Sequence, residues 1–321
     1  MKIRFLFLLT LVLFVGCNSA DADSNDIPEF KLPTPIPLAD PYILYEDGTY
    51  YLYGTGSGDG IAVAISKDMR KWEWPENEKY YLALHKDDSY GTYYFWAPEV
   101  YKIGDKYLMY YSSQEHICAA WGDSPLGPFK QVKKEPMREP KGIDNHLFID
   151  EDGKPYLFWV HFSGGQQVWV AELEDDLTTI IPGTETKCIS PVQDWEMIWA
   201  TVNEGPFVLK HKGKYYLSYS ANTYESQHYA IGYAVSDSPK GPWVKYQDNP
   251  ILHQPAGLVG TGHHAFFKDK DGNNRITFHS HNKPGQIQPR ILHIGTYGFE
   301  ELENEDDRLY IDKAFFTPHM Y

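Results

Sequence analysis

The sequence predicts an all-β protein, a five-bladed β-propeller, and three observations support that fold class. First, tyrosine-rich runs with the composition of strands recur at intervals of 56, 49, 60 and 60 residues. Second, a turn rich in Gly and Asp precedes each run, which predicts a tight antiparallel hairpin in every repeat. Third, no long segment has the period of an amphipathic helix. A repeat of about 50–60 residues with about four short strands is typical of a propeller blade.

The five repeats can be placed in order along the chain. Their turns occupy residues 46–48, 103–105, 151–153, 212–214 and 271–273, and the runs after them are counted from Tyr51, Tyr107, Tyr156, Tyr216 and Ile276. Another apolar segment precedes each turn, and further strands follow, as at 61–65 and 230–235. Residues 122–129 also reappear in similar form as 236–243, with a shared Asp-Ser-Pro and an aromatic end. A recurrence of ordinary turn residues explains this second similarity less well than a repeated blade does.

Composition and charge exclude two classes of protein. The chain carries 29 Lys and Arg against 44 Asp and Glu, a net charge of −15 that repels phosphate, so we expect no nucleic-acid partner. A hydrophobic content of 42%, with 16% aromatic residues, is too apolar for a disordered chain.

The first residues predict an export signal. Lys2 and Arg4 precede an apolar run over residues 5–15, which is about half the length of a membrane-spanning helix. The run ends in Gly16-Cys17, which resembles the bacterial lipobox, in which the Cys becomes lipid-modified. Cleavage near Ser19 without lipidation is the alternative.

The resulting organisation is a signal peptide over residues 1–16, a lipidated flexible tether over 17–30 and a single propeller domain over 31–321. We therefore expect an exported bacterial lipoprotein, at the cell surface, in the outer membrane or in the periplasm, that meets the membrane only through its lipid anchor. We expect Cys118 and Cys188 to be free thiols, although export permits a disulfide.

Three carboxylates stand at corresponding places of the repeats. Asp40, Asp144 and Glu204 each lie just before the first apolar strand of a unit. Because the first strands of propeller blades line a central channel, we expect these side chains to meet there although they are far apart in sequence. The chemistry of the protein is therefore to be sought at that place.

On these residues the chain resembles the glycoside hydrolases of family 43, five-bladed propellers that include arabinofuranosidases, endo-arabinanases, β-xylosidases and exo-galactanases. The resemblance covers roughly residues 35–300. It rests on five segments in this order: Asp40-Pro41, residues 95–99, Ile143-Asp144, residues 204–206 and residues 260–264. In one departure, Asn145 follows the second Asp where the family often has Pro.

The resemblance implies an inverting glycosidase in which Asp40 is the general base, Glu204 the general acid and Asp144 the residue that orients and modulates the acid. Inversion needs a base that activates water on one face of the sugar and an acid that protonates the leaving oxygen on the other. Negative charge on Asp144 and Asp40 is expected to raise the pKa of Glu204. We expect the Asp40 and Glu204 carboxyl groups to lie roughly 6.5–9.5 Å apart.

The resemblance also implies two substrate-binding residues. Trp96 is expected to offer an apolar face to the sugar ring, with a place in the core of a blade as the alternative. Arg290 is expected at the floor of the site, where it binds a sugar hydroxyl or a catalytic carboxylate, with a buried structural ion pair as the alternative.

A calcium ion near the channel axis, beside His263 and completed by waters, is a further implication, although histidine is an unusual ligand for this cation. We expect His264 to be a packing residue and expect no organic cofactor. A zinc site among His161, His279, His281 and His293 is a weaker interpretation, since no Cys or carboxylate completes a recognisable spacing.

The leading hypothesis is an enzyme that acts on arabinose- or xylose-containing oligo- and polysaccharides of the plant cell wall, with α-L-arabinofuranosidase favoured. β-Xylosidase, endo-xylanase, endo-arabinanase and exo-galactanase are the alternatives within the family. A non-catalytic glycan-binding propeller and a scaffold for protein partners are alternatives of other classes. We expect a monomer.

Overall fold

The repeated turns of the sequence fold into antiparallel hairpins in the computed structural model, which describes residues 33–56, 58–303 and 306–321. The first part of the chain contains β1 (Thr34–Pro35), β2 (Tyr42–Glu46), β3 (Thr49–Tyr53), β4 (Gly60–Ser66), β5 (Lys71–Trp72) and β6 (Leu82–His85). Strands β2, β3, β4 and β6 form one four-stranded sheet in that order. The next sheet consists of β7 (Phe95–Ile103), β8 (Lys106–Ser113) and β9 (His116–Gly122).

Three further sheets each contain four strands in sequence order. The third is built from β10 (Gly142–Ile149), β11 (Pro155–Phe162), β12 (Gln166–Glu172) and β13 (Thr186–Ile189). The fourth is built from β14 (Asn203–His211), β15 (Lys214–Ala221), β16 (Ala230–Ser236) and β17 (Val244–Lys245). The fifth is built from β18 (Gly262–Lys268), β19 (Asn274–Ser280), β20 (Ile291–Glu300) and β21 (Arg308–Phe316). Short 3₁₀ helices occur at Pro75–Asn77, Lys86–Asp88, Asp194–Glu196 and Pro255–Gly257.

The first strands of these five sheets form a closed ring. Strand β2 contacts β7, β7 contacts β10, β10 contacts β14, β14 contacts β18, and β18 returns to β2. Hydrophobic clusters fill the space between neighbouring sheets; one contains Tyr110 of the second sheet and Trp159 of the third. Another contains Leu52 of the first sheet and Ile294 of the fifth. The arrangement is a β-propeller, which confirms the predicted all-β class.

The predicted count of five sheets is wrong, because the described residues form six. The sixth sheet joins β1, β22 (His319–Met320) and β5 in that order. Thr34 pairs with Met320 in antiparallel fashion, and His319 pairs with Lys71 in parallel fashion. Strands of two residues, taken from distant parts of the chain, carry no hairpin turn and no alternating pattern, so the repeat could not reveal them.

The same positive φ angle recurs at or just before the start of every first strand. Five residues at equivalent places have positive φ angles between 45° and 57°: Asp40, Ala97, Asp144, Gly205 and His263. In β7, β10, β14 and β18 the pairing register shifts at this point, which is a β-bulge. Bulges change the direction of a side chain and are frequent beside active sites. The bulges therefore decide which side chains reach the axis of the ring.

The sequence also made predictions about the cysteines and the N-terminal segment. Cys118 and Cys188 are free thiols, as predicted, and burial raises the pKa of Cys118 to about 12. The predicted signal peptide, Cys17 and the tether over 17–30 lie outside the described residues. Within the described ranges, the structure contains no helix with the length and apolar character needed to span a membrane.

Candidate active site

A cavity of about 620 Å³ opens at the end of the ring where the first strands begin. All six residues that the sequence singled out line this cavity: Asp40, Trp96, Asp144, Glu204, His263 and Arg290. Asp40, Asp144 and Glu204 are each at most 7% exposed, so the three carboxyl groups meet in a largely desolvated space. The prediction that the ring brings them together is confirmed.

Asp40 is held as a carboxylate. Its Oδ1 lies 3.0 Å from Nη1 of Arg290, and its Oδ2 accepts a hydrogen bond from the hydroxyl of Thr55. Burial alone would raise the pKa of Asp40, but the charges of Arg290, His263 and His279 and the Thr55 hydrogen bond together lower it well below its usual range. Asp40 is therefore ionised throughout the neutral range and can accept a proton.

The pKa of Glu204 is shifted in the opposite direction. Its carboxyl group is buried, and the Tyr229 hydroxyl donates a 2.7 Å hydrogen bond to Oε1. Burial is the main cause that raises the pKa of Glu204 to about 7, while the Tyr229 hydrogen bond opposes the rise and the negative charge of Asp40 adds to it. The expected direction is correct, but desolvation contributes more than the neighbouring carboxylates. Glu204 can therefore keep a proton near neutral pH and donate it.

Asp144 lies between Asp40 and Glu204 in the sequence, and the negative charges of both act on it. Its Oδ2 accepts a 3.1 Å hydrogen bond from the backbone N–H of Gly205, the residue after Glu204. Burial, and then the charges of Glu204 and Asp40, raise the pKa of Asp144 well above its usual range. Asp144 thus connects the strand that carries it to the strand that carries Glu204.

The expectation that the three acids occupy the same place in their repeats needs one correction. Asp40 and Asp144 themselves have positive φ, Asp144 at the bulge of β10 and Asp40 just before β2, whereas Glu204 stands one residue earlier than its positive-φ neighbour, Gly205. In the third sheet the place equivalent to Glu204 belongs to Ile143, which pairs before the bulge as Glu204 does. The third and fourth sheets have the same bulge, so the two acids differ by one position relative to it, and the sequence alone does not show where a bulge begins.

Arg290 combines two of the expected roles. Its guanidinium is buried and pairs with Asp40 while its carbon Cζ lies 4.5 Å from the ring centre of Tyr224. Its Nε is buried and has no hydrogen-bond partner among the described residues. The ion pair is therefore with the predicted base, and the Nε donor of Arg290 is left unpaired in the interior.

Much of the cavity lining is aromatic. Trp96 is half-buried and lines the cavity, so it is not a residue of a blade core. Tyr90, Tyr93, Tyr94 and Phe162 line the same space. A cavity lined by aromatic rings and carboxylates is suited to a ligand that has apolar faces and polar edges.

His263 lies among the carboxylates rather than in a metal-binding cluster. Its Nδ1 is 3.4 Å from Oδ1 of Asp40 and 3.9 Å from Oδ2 of Asp144. Among the residues that the structure describes, no group of three or more His, Cys, Asp or Glu side chains is placed to hold a metal ion, and this includes the histidines of the zinc interpretation. His264 packs in the interior and bonds through Nε2 to the Ser218 hydroxyl at 2.7 Å, as expected of a packing residue. The calcium ion beside His263 stays a prediction.

Sequence reasoning missed several residues of the site. Thr55 and Tyr229 contact the two key carboxyl groups. His279, which the sequence suggested only as a zinc ligand, accepts the backbone N–H of Asp40 through Nδ1 at 3.2 Å. Tyr224 and Gln166 line the cavity. None of these residues lies in a motif, and a single tyrosine among 25 gives no signal of its own. Only the closure of the ring brings them to the acids.

Comparisons with known proteins place this site in a family context. Residues 33–297 match the model of glycosyl hydrolases family 43. A crystal structure named endo-1,4-β-xylanase from Bacteroides thetaiotaomicron is 42% identical, superposes with a TM-score of 0.84, and is matched over 90% of this chain and 99% of its own. A crystal structure of a thermostable family-43 glycoside hydrolase is 38% identical with a TM-score of 0.76, over 86% of this chain and 92% of its own. An extracellular exo-α-(1→5)-L-arabinofuranosidase of Streptomyces chartreusis is 27% identical over 74% of this chain and 78% of its own length.

Proposed function

Because the chain belongs to glycosyl hydrolases family 43 and is therefore a glycosyl hydrolase, we propose that it cleaves arabinose- or xylose-containing plant polysaccharides with inversion at the anomeric carbon. Relatives named as arabinofuranosidase and as endo-1,4-β-xylanase support this substrate class. The names of these relatives specify different linkages, so family membership alone does not identify the glycosidic bond that this protein cleaves.

One observation carries the proposed mechanism: two carboxyl groups in the same cavity have pKa values moved in opposite directions. The pKa of Asp40 is lowered beneath the usual range, and that of Glu204 is raised to about 7. A pair of carboxyl groups with separated pKa values can supply a base and an acid at the same pH. The base is the group that Arg290 keeps ionised, and the acid is the group that burial keeps protonated.

The proposed reaction balances with one water molecule. Asp40 takes a proton from the water as its oxygen attacks the anomeric carbon, and Glu204 gives its proton to the glycosidic oxygen as the bond to the leaving sugar breaks. Tyr229 occupies Oε1 of Glu204, so the donated proton is carried by Oε2. Asp144 fixes Gly205 and thereby the backbone beside the acid. After the products leave, Asp40 releases its proton to solvent and Glu204 takes one up from solvent, which restores the starting protonation states for the next water molecule.

We propose α-L-arabinofuranosidase as the first activity to test and endo-1,4-β-xylanase as the second. The curated relative from Streptomyces chartreusis is named for the first activity. The second is favoured by the 42% identity to a structure named for it, across 99% of that chain. The two activities differ in product: one releases free arabinose and the other releases xylo-oligosaccharides.

The test uses purified wild-type protein with arabinan, arabinoxylan and unsubstituted xylan, and product identity is read by chromatography. NMR of the first-formed product should show inverted anomeric configuration; retained configuration would refute the roles of Asp40 and Glu204. Asp40→Asn and Glu204→Gln should each lower kcat by about 10²–10⁴-fold, the usual contribution of a general acid or base. Glu300→Gln removes an exposed carboxylate in the fifth sheet, and its activity should equal that of wild type.

We also propose that the protein is exported and anchored through Cys17, and that it works as a monomer. The extracellular names of the Streptomyces relatives support export, while the lipid anchor rests on the lipobox-like Gly16-Cys17. Replacing Cys17 with Ser should move the expressed protein from the membrane fraction to the soluble fraction, and an unchanged distribution would refute the anchor.

A further inference from the structure

An exposed apolar segment lies between the third and fourth sheets. Trp199 is 59% exposed, Ile198 54% and Met197 43%, and these three residues are consecutive in the chain. Single scattered exposed apolar residues are ordinary and need no function, whereas three in succession raise the question of what they contact. None of the three belongs to a described strand, and the site described above does not use them.

The segment is anchored at two points, and both adjoin the cavity. The backbone N–H of Ile198 donates to Oδ1 of Asn222 at 3.0 Å, and Asn222 precedes the cavity residue Thr223. The carbonyl of Thr201 accepts a 3.0 Å hydrogen bond from the backbone N–H of Gln166, which itself lines the cavity. Trp199 therefore stands on a short bridge between two positions of the cavity rim, at most a few residue lengths from each.

The same segment leads directly to the predicted acid. Val202, Asn203 and Glu204 continue it into the ring, and the acid protonates the oxygen of the leaving group. The sugar units beyond that oxygen must extend past Glu204 toward the rim. Gln166, which lines the cavity, has a buried Oε1 with no hydrogen-bond partner within the described residues. An unpaired buried acceptor is costly, so a turn of this side chain toward the cavity, where a sugar hydroxyl could donate to Oε1, would be favoured.

We propose that Trp199 is a platform for the sugar units on the leaving-group side of the cleaved bond, with Gln166 accepting a hydroxyl of that part of the chain. The proposal rests on the function proposed above and adds the side of the substrate that is bound. Trp is suited to this role because it offers a large, rigid apolar face with few rotatable bonds to immobilise. The occupant is a polysaccharide chain that continues out of the cavity; a second copy of the protein is a competing outcome of the test.

The first experiment compares long and short substrates. Trp199→Ala should raise KM about tenfold on the polysaccharide that the wild type degrades, with kcat changed by less than about twofold. On a nitrophenyl glycoside, which has no sugar on the leaving-group side, kcat/KM should equal that of wild type. Trp199→Phe should restore part of the polymer KM. Tyr310→Ala removes an aromatic residue from β21, the last strand of the fifth sheet, and should leave both substrates unaffected.

Two results would overturn the proposal: an unchanged KM on the polymer, or an equal loss on both substrates, which would mean that Trp199 only supports Glu204. Binding is measured separately, so that failure of the proposed function can be recognised. Calorimetry with Glu204→Gln and xylo- or arabino-oligosaccharides of about five units should show affinity that Trp199→Ala, added to that variant, lowers about tenfold. Binding without turnover in the wild type refutes only the proposed hydrolysis. A dimer of the wild type that Trp199→Ala dissociates, with polymer KM unchanged, identifies a second copy as the occupant.

Discussion

Replacing Tyr229 with phenylalanine removes one hydroxyl, the donor of the 2.7 Å hydrogen bond to Glu204, and leaves the buried ring in place. The hydrogen bond lowers the pKa of Glu204 because it stabilises the ionised form. Its loss should therefore raise that pKa further. Activity that depends on protonated Glu204 should then persist to higher pH, so the alkaline limb of the pH profile moves upward.

The size of this shift follows from the strengths of hydrogen bonds. A bond to a charged acceptor is worth about 1.5–3 kcal/mol, and one to a neutral acceptor about 0.5–1.5 kcal/mol. The difference between protonation states is therefore about 1 kcal/mol or slightly more. At about 1.4 kcal/mol for each unit of pKa, the alkaline limb should move by roughly one pH unit. The maximum kcat should fall as well, since Glu204 loses the contact that orients it.

The assay is kcat/KM against pH, which reports the free enzyme. An oligosaccharide substrate is preferred to a nitrophenyl glycoside, because a sugar leaving group needs the proton of the acid. Tyr216→Phe is the matched control: it removes a buried tyrosine hydroxyl of the fourth sheet, which donates to the carbonyl of Asp307 at 2.7 Å and not to one of the three acids. An alkaline limb that stays in place, or moves to lower pH, would refute the assignment of Glu204 as the titrating acid.

Three further outcomes are expected. Arg290→Met removes the cation beside Asp40, so the pKa of Asp40 should rise by about 1–3 units and the acidic limb of kcat/KM should move to higher pH; an unmoved limb would show that another group titrates there. The pKa of Glu204 is raised from 4.5 to about 7 in the folded state, so the free energy of unfolding of the wild type falls as pH rises through that window. Urea unfolding at pH 8 should find Glu204→Gln more stable than the wild type by up to about 3 kcal/mol. At pH 4 the two proteins should be equally stable. Lys245→Met leaves the buried carboxylate of Glu196 without its ion-pair partner and should cost about 3–5 kcal/mol in urea unfolding, part of which Glu196→Gln recovers in the double variant; a cost below about 1 kcal/mol would contradict the buried pair.

The parts of the structure that sequence could predict are those with local signals. Turns with Gly at positive φ, such as Gly48 and Gly213, determined each hairpin, and their recurrence determined the ring. The acids were found because they precede these repeated strands. The sixth sheet was missed because its pairings join residues 34–35 to 319–320, and no local pattern encodes such a contact.

The electrostatic partners of the acids lacked signals for a related reason. Thr55 and Tyr229 reach Asp40 and Glu204 only after separate sheets have packed around one axis. The pKa of Glu204 depends chiefly on burial, which is a property of the assembled cavity rather than of neighbouring residues in sequence. The acidic residues found in the sequence were enough to predict that the pKa of Glu204 is raised. They did not reveal that burial is the main cause of the rise.

The pairing of Thr34 with Met320 has a consequence for engineering. Because these two residues are hydrogen-bonding neighbours, a linker of a few residues would join them, and new chain ends could be opened elsewhere. The turn at Gly153 suits this, since a methyl group added there would meet no atom within 4 Å. Such a circular permutant of residues 33–321 would keep every strand pairing of the ring while cutting the chain between Asp144 and Glu204. If the permutant stayed active, the arrangement of the three acids would depend on closure of the ring and not on the order of the sheets along the chain.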